Sequence, residues 1–102
     1  MHSFIEERLP QLRELCRRYH VARLDVFGSA ASERFDTTRS DLDFVVEYLP
    51  VTAAMTMDAY FGFKEGLEQL FGREVDLVER TAVRNPYFQE ELEETQVPVY
   101  AA

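Results

Sequence analysis

The sequence predicts an α/β (α+β) fold: a small mixed β-sheet of three to four strands with helices packed mainly on one face. Three observations carry that expectation. Apolar residues alternate between helical spacing and strand spacing along the chain, in the order α-β-(α)-β-α-β-α-(β). The strand-like runs agree on which side is apolar. A chain of 102 residues is expected to be one domain, residues 1–102, with a single core.

The elements follow in order. Ile5, Leu9, Leu12, Cys16 and Tyr19 recur at helical spacing, predicting an amphipathic helix over about 3–19. Pro10 falls inside it, so the helix is expected to bend there or to begin near it. Val21 to Phe27 reads as a strand, Gly28-Ser29 as a turn opening a short helix, and Leu42 to Tyr48 as a second strand ended by Pro50. Thr56 to Phe71 reads as a long helix with Tyr60, Phe63, Leu67 and Leu70 on one stripe, stopped at Gly72. Glu74 to Glu79 is a third strand. Asn85-Pro86 starts a last helix, with Asn as N-cap and Pro at the first helical position. Val97 to Tyr100 is a short final strand or tail.

Strand alternation puts Leu24, Val26, Leu42, Phe44, Val46, Val75 and Leu77 on one face, toward the helices. Asp41, Asp43 and Asp76 fall on the other. If the third strand lies beside the second, these acids form a trio. Paired carboxylates repel one another, and no Lys or His lies beside Asp41 and Asp43 in the sequence. A hard divalent cation relieves the repulsion, because Mg²⁺ takes oxygen ligands and commonly binds one or two carboxylates plus substrate phosphates. The Gly28-Ser29 turn just upstream offers backbone N–H groups and a hydroxyl to those phosphates. Such a trio suits in-line displacement at phosphorus, with Asp76 as metal ligand and general base. Asp25 is read as solvated surface. Arg34, Arg39, Lys64 and Arg73 could lend charge to a triphosphate, but each alone reads as surface.

Composition narrows the function classes. The formal net charge of −8 argues against a free-standing nucleic-acid binder, whose phosphate affinity comes from Lys and Arg. No apolar run is long enough to span a bilayer, and the acidic start lacks a signal-peptide core, so a cytoplasmic location is expected. Cys16 is the only cysteine and reads as a buried small apolar residue. Phe61 and Phe63 lie on nearly opposite sides of their helix, so one side is expected in the core and the other is open as core or partner surface.

Taken alone, a Gly-Ser pair is only a tight turn. Gly28-Ser29, eleven intervening residues, Asp41-Leu42-Asp43 and a third Asp76 on a later strand together resemble the minimal nucleotidyltransferases of the DNA polymerase β superfamily. The similarity extends through Leu67 to Val78 and through Asn85-Pro86-Tyr87-Phe88 to the end of the chain. The resemblance implies a polymerase β palm-like fold. It implies Asp41, Asp43 and Asp76 as catalytic, metal-binding carboxylates, and Gly28 and Ser29 as contacts to the nucleotide phosphates. It further implies Mg²⁺ (two ions) with ATP or another NTP as substrate, in the EC 2.7.7 class. Small members are similar to antitoxins encoded beside an all-helical HEPN-type toxin, and some transfer AMP from ATP to a tyrosine of that toxin. Such a partner is therefore expected, with no template nucleic acid and no membrane; homo- and hetero-oligomers both remain open. One departure from the family pattern is Ser32-Glu33-Arg34, where relatives often carry a glycine. It motivates an alternative, a catalytically weak or inactive antitoxin that neutralises its partner by occlusion. An aminoglycoside nucleotidyltransferase relative ranks lower, because those usually need a second domain.

Overall fold

The computed structural model describes residues 3–31, 41–50 and 57–102. The polar excursion carrying Arg34, Arg39 and the Ser32-Glu33-Arg34 departure lies outside the described residues. The elements are α1 (Ser3–Glu6), α2 (Leu9–Arg18), β1 (Val21–Phe27), a 3₁₀ turn (Gly28–Ala31), β2 (Leu42–Tyr48), α3 (Met57–Phe71), β3 (Val75–Glu79), a second 3₁₀ turn (Arg80–Ala82), α4 (Pro86–Thr95) and β4 (Val97–Ala101). The helix expected over 3–19 is thus two helices. Pro10 is the second residue of α2, where its missing N–H costs no helical hydrogen bond, and the chain breaks just before it. Asn85 caps α4 as its sequence predicts: its side-chain oxygen accepts from the N–H groups of Tyr87 (2.9 Å) and Phe88 (3.4 Å).

The four strands form one mixed sheet in the order β3-β2-β1-β4. β1 pairs antiparallel with both β2 and β4, while β2 and β3 run parallel. α3 provides the crossover that a parallel pair requires.

The expected apolar face is the core face. Leu24, Val26, Leu42, Phe44, Val46, Val75 and Leu77 are buried there with Ile5 of α1, Leu12 and Cys16 of α2, and Phe63, Leu67 and Phe71 of α3. Burial pushes the Cys16 thiol up to about 12, so it is an inert core group. α2 and α3 cross closely at Gly66, where a Cβ would sit 2.9 Å from Leu15 Cδ1. Phe63 is fully buried whereas Phe61 is 53% exposed, so the two aromatics point as their spacing predicts. α4 covers the other face with a smaller cluster: Leu92 and Phe88 pack on Phe27 and Val45, and the Phe88 ring meets Phe27 edge-on at 5.7 Å. Among the described residues, three helices therefore pack on one side and one on the other.

Candidate active site

The parallel register of β2 and β3 pairs Asp43 with Asp76. Side chains of residues in register on adjacent strands project to the same side, on strands about 4.8 Å apart. Asp41 lies two residues before Asp43, at the mouth of β2, and is exposed, as is Asp76. Asp43 is half-buried. The antiparallel register places Phe27 beside Asp43 on the opposite flank, so one row across the sheet reads Phe27, Asp43, Asp76.

Gly28 follows Phe27 and turns the chain sharply. Its φ of +68 lies in the left-handed region that favours glycine. Space also demands glycine: a Cβ there would stand 2.9 Å from Asp43 Oδ2. The Gly-Ser turn thus backs directly onto one of the paired carboxylates. On the other side of the turn, the Gly28 N–H donates to Thr95 Oγ1 at 3.4 Å, and that hydroxyl donates to the Glu91 carbonyl at 2.9 Å. Ser29 is half-buried in the same turn.

The electrostatics are those of crowded acids. Asp43 is pushed up to about 6 from its ordinary 3.8, first by desolvation and then by the charges of Asp76, Asp41 and Glu91. Burial and the neighbouring like charges both disfavour the ionised carboxylate, and a bound divalent cation would favour it. The donor set is all oxygen, which suits Mg²⁺. Among the described residues no group of three or more His, Cys, Asp or Glu side chains is drawn together tightly enough to enclose a metal. Mg²⁺ does not need such an enclosure, since it retains water and binds substrate phosphates alongside one or two carboxylates. The chemistry of the donor set therefore fits the ion.

Three groups near the site escaped the sequence reading. Glu91 and Thr95 lie on α4, whose approach to the Gly-Ser turn depends on tertiary packing. Asp25, read as solvated surface, is instead fully buried on the α4 side of β1. Its Oδ2 lies 2.7 Å from Arg23 Nη2 and 2.9 Å from Arg80 Nη2. Arg80 also donates to Gln96 Oε1 at 2.8 Å. A signal existed: Arg23 and Asp25 alternate onto one strand face, so a carboxylate there could be buried with a cation already beside it. The Arg73 guanidinium lies 4.6 Å over the Phe4 ring. Lys64 is half-buried on α3.

Beside the turn lies an open pocket of about 630 Å³, lined by Gly28, Ser29 and Ala31 on one side and by residues 94–97 on the other.

Comparison with known proteins identifies the family and the fold. The model of the nucleotidyltransferase domain family matches residues 9–97. Two proteins of Methanocaldococcus jannaschii, both provisionally named protein adenylyltransferases, are similar over most of the chain. One is 33% identical over 85 residues, covering 83% of each chain; the other is 31% identical over 98 residues, covering 95% of this chain and 96% of the relative. A solved structure described provisionally as a minimal nucleotidyltransferase superposes with a TM-score of 0.77 at 28% identity, covering 96% of both chains. A complex of a tri-AMPylated Shewanella oneidensis HEPN toxin with its MNT antitoxin matches with a TM-score of 0.67 at 14% identity, covering 95% of this chain and 72% of that one, a likeness of fold alone. No helix among the described residues is long and apolar enough to cross a membrane. With its family model covering residues 9–97 and its relatives matching nearly end to end, the chain belongs to the nucleotidyltransferase domain family and is a nucleotidyltransferase of the EC 2.7.7 kind.

Proposed function

We propose that this protein transfers NMP, with AMP from ATP as the leading case, to a hydroxyl acceptor on a partner protein, a tyrosine of a HEPN-type toxin, and so acts as its antitoxin. The observation that carries the chemistry is the in-register pairing of Asp43 and Asp76 against Gly28. The partner rests on the toxin–antitoxin complexes among the structural neighbours and on the protein-adenylyltransferase names of the relatives.

Asp41, Asp43 and Asp76 would hold Mg²⁺, which when bound neutralises the triphosphate and polarises the α-phosphorus. The chain's own groups do the rest. The Gly28-Ser29 turn positions phosphate oxygens beside Asp43. Asp76, exposed at the outer end of the row, accepts the acceptor hydroxyl's proton. The acceptor oxygen forms its bond to the α-phosphorus as the bond from that phosphorus to the bridging oxygen breaks, and pyrophosphate leaves.

The test is transfer of label from α-labelled ATP, in the presence of Mg²⁺, to the protein encoded next to this one. Wild type should label it. Asp43→Asn should lower the rate by about 10²–10³-fold, the loss typical when one electrostatic element of an active site is removed. No transfer to that protein and no Mg²⁺-dependent ATP binding would end the proposal.

One observation favours a second reading. Phe61 is 53% exposed on α3, an apolar surface for a partner protein to cover, and neutralisation by occlusion would need no transfer. An Asp43→Asn variant that still neutralises the partner in cells would support occlusion. Retained binding with lost neutralisation would support transfer.

A further inference from the structure

We infer that Tyr60 and Glu68 of α3 are positioning residues for nucleotidyl transfer: they grip the backbone on either side of Asp76 and hold it in register with Asp43. This rests on the proposed role of Asp76 in transfer and adds what keeps that carboxylate in place.

β3 has five residues, with Asp76 the second, and lies at one edge of the order β3-β2-β1-β4. Among the described residues it pairs with β2 alone, and that pairing is parallel, slightly less stable per residue than antiparallel. Successive residues of a strand turn their N–H and C=O groups to opposite edges. The Leu42 N–H donates to the Glu74 carbonyl at 3.3 Å, so Glu74, Asp76 and Val78 face β2, while Val75 and Leu77 face the outer edge. Side chains of α3 take up both of these flanking residues. The Val75 N–H donates to Glu68 Oε2 at 3.1 Å, and the Tyr60 hydroxyl donates to the Leu77 carbonyl. Asp76 thus stands between two gripped neighbours.

Both grips come from one firmly seated helix, since the fully buried Phe63 and Leu67 lie between Tyr60 and Glu68 and fix α3 in the core. The buried side chains of Val75 and Leu77 draw β3 toward that core as well. Apolar packing is non-directional, however, and it is the hydrogen bonds that set where the backbone stands along the strand. Among the described residues no hydrogen bond or ion pair holds the exposed Asp76 carboxylate itself, so its position is inherited from its backbone. Tyr60 is near enough to feel that carboxylate: burial first, then the charges of Asp76 and Glu79, raise the phenol above its ordinary value, so it remains a donor at neutral pH. A metal ligand or proton acceptor works only within a narrow range of position, and a displacement of about 1 Å can cost ~10²-fold in rate.

The experiment follows label transfer from α-labelled ATP to the protein encoded next to this one, alongside amide hydrogen exchange. Tyr60→Phe keeps the ring and removes the donor. Glu68→Ala removes the acceptor, and Glu68→Gln keeps one in its amide oxygen. Tyr60→Phe and Glu68→Ala should each speed exchange of the Asp76 and Val78 amides about 5-fold, the loss of one hydrogen bond, and leave β1 unchanged. In each, kcat should fall about 10-fold with KM for ATP within about twofold of wild type, because Gly28, Ser29 and Asp43 stand on other elements. Glu68→Gln should recover most of the lost kcat, which a mere loss of stability would not predict. Unchanged β3 exchange would overturn the grip. Faster exchange with wild-type kcat would overturn its link to Asp76. Equal loss in Glu68→Gln and Glu68→Ala would make the Glu68 charge, not its hydrogen bond, the cause and overturn the inference for that residue. A raised KM for ATP with wild-type kcat would assign these side chains to nucleotide binding and overturn it too. All four outcomes leave transfer standing. Absence of labelling by wild type would instead remove the transfer reading, and this inference with it.

Discussion

Asp43 and Asp25 both sit in largely apolar strands, and their surroundings set them apart. Asp43 stands among other acids, so burial and like charge raise it to about 6 from 3.8. Between those values the folded state binds more protons than the unfolded chain, so stability falls as pH rises from about 4 to about 6, and the full deficit persists above. Asp43→Asn should therefore stabilise the metal-free protein at pH 7.5 by about 1–2 kcal/mol, after discounting for its partial exposure, and have little effect at pH 4. Chemical denaturation at the two pH values checks this; equal effects at both would contradict it. Gly28→Ala should cost about 1–2 kcal/mol for the left-handed backbone, and should disturb nucleotide binding by crowding Asp43 Oδ2. A melting curve and an ATP titration measure the two effects. Asp43 and Asp76 stand out in the sequence because each interrupts an apolar strand pattern, and Asp41 because it stands two residues before Asp43. Asp25 gave the same sign and was misread, because its partner Arg80 lies 55 positions away in the chain.

At the scale of elements, the ion cluster ties β1 to the turn after β3 and, through Gln96, to the end of α4. Asp25→Ala would leave Arg23 and Arg80 without their shared carboxylate. Both arginines keep some solvent access, so the expected cost is about 2–4 kcal/mol rather than the most that a buried pair can cost. Urea unfolding measures it, and a loss below ~0.5 kcal/mol would show the cluster to be incidental. Phe63→Ala, at the fully buried centre of α3, should cost about 3–5 kcal/mol. Most elements were legible from period and punctuation: the Asn85-Pro86 start, the Gly72 stop and the strand alternation all mark real boundaries. The split between α1 and α2 was legible only as a choice at Pro10, because the same apolar spacing serves one bent helix or two. The seat of α4 on the second face was not legible. Few of its residues are apolar, and its docking depends on Phe27 and Val45, which strand alternation alone does not assign to a covered surface.

Across the whole molecule, charge and topology act together. The net charge of −8 includes acids gathered at one end of the sheet, where a divalent cation would offset repulsion within the fold. Linkage then requires millimolar Mg²⁺ with ATP to raise the melting temperature of wild type, and to raise it less in Asp43→Asn. The strand order could not be read from the sequence, which fixes strand faces but not neighbours; the parallel β2–β3 pairing is what brings Asp76 beside Asp43. That meeting of carboxylates around a cation is the central claim, and a crystal soaked with Mn²⁺ and a non-hydrolysable ATP analogue tests it most directly. The account predicts an anomalous peak about 2.1 Å from carboxylate oxygens of Asp43 and of Asp41 or Asp76, beside the Gly28-Ser29 turn. Bound nucleotide with no metal at these residues, or a metal held elsewhere in the protein, would contradict it.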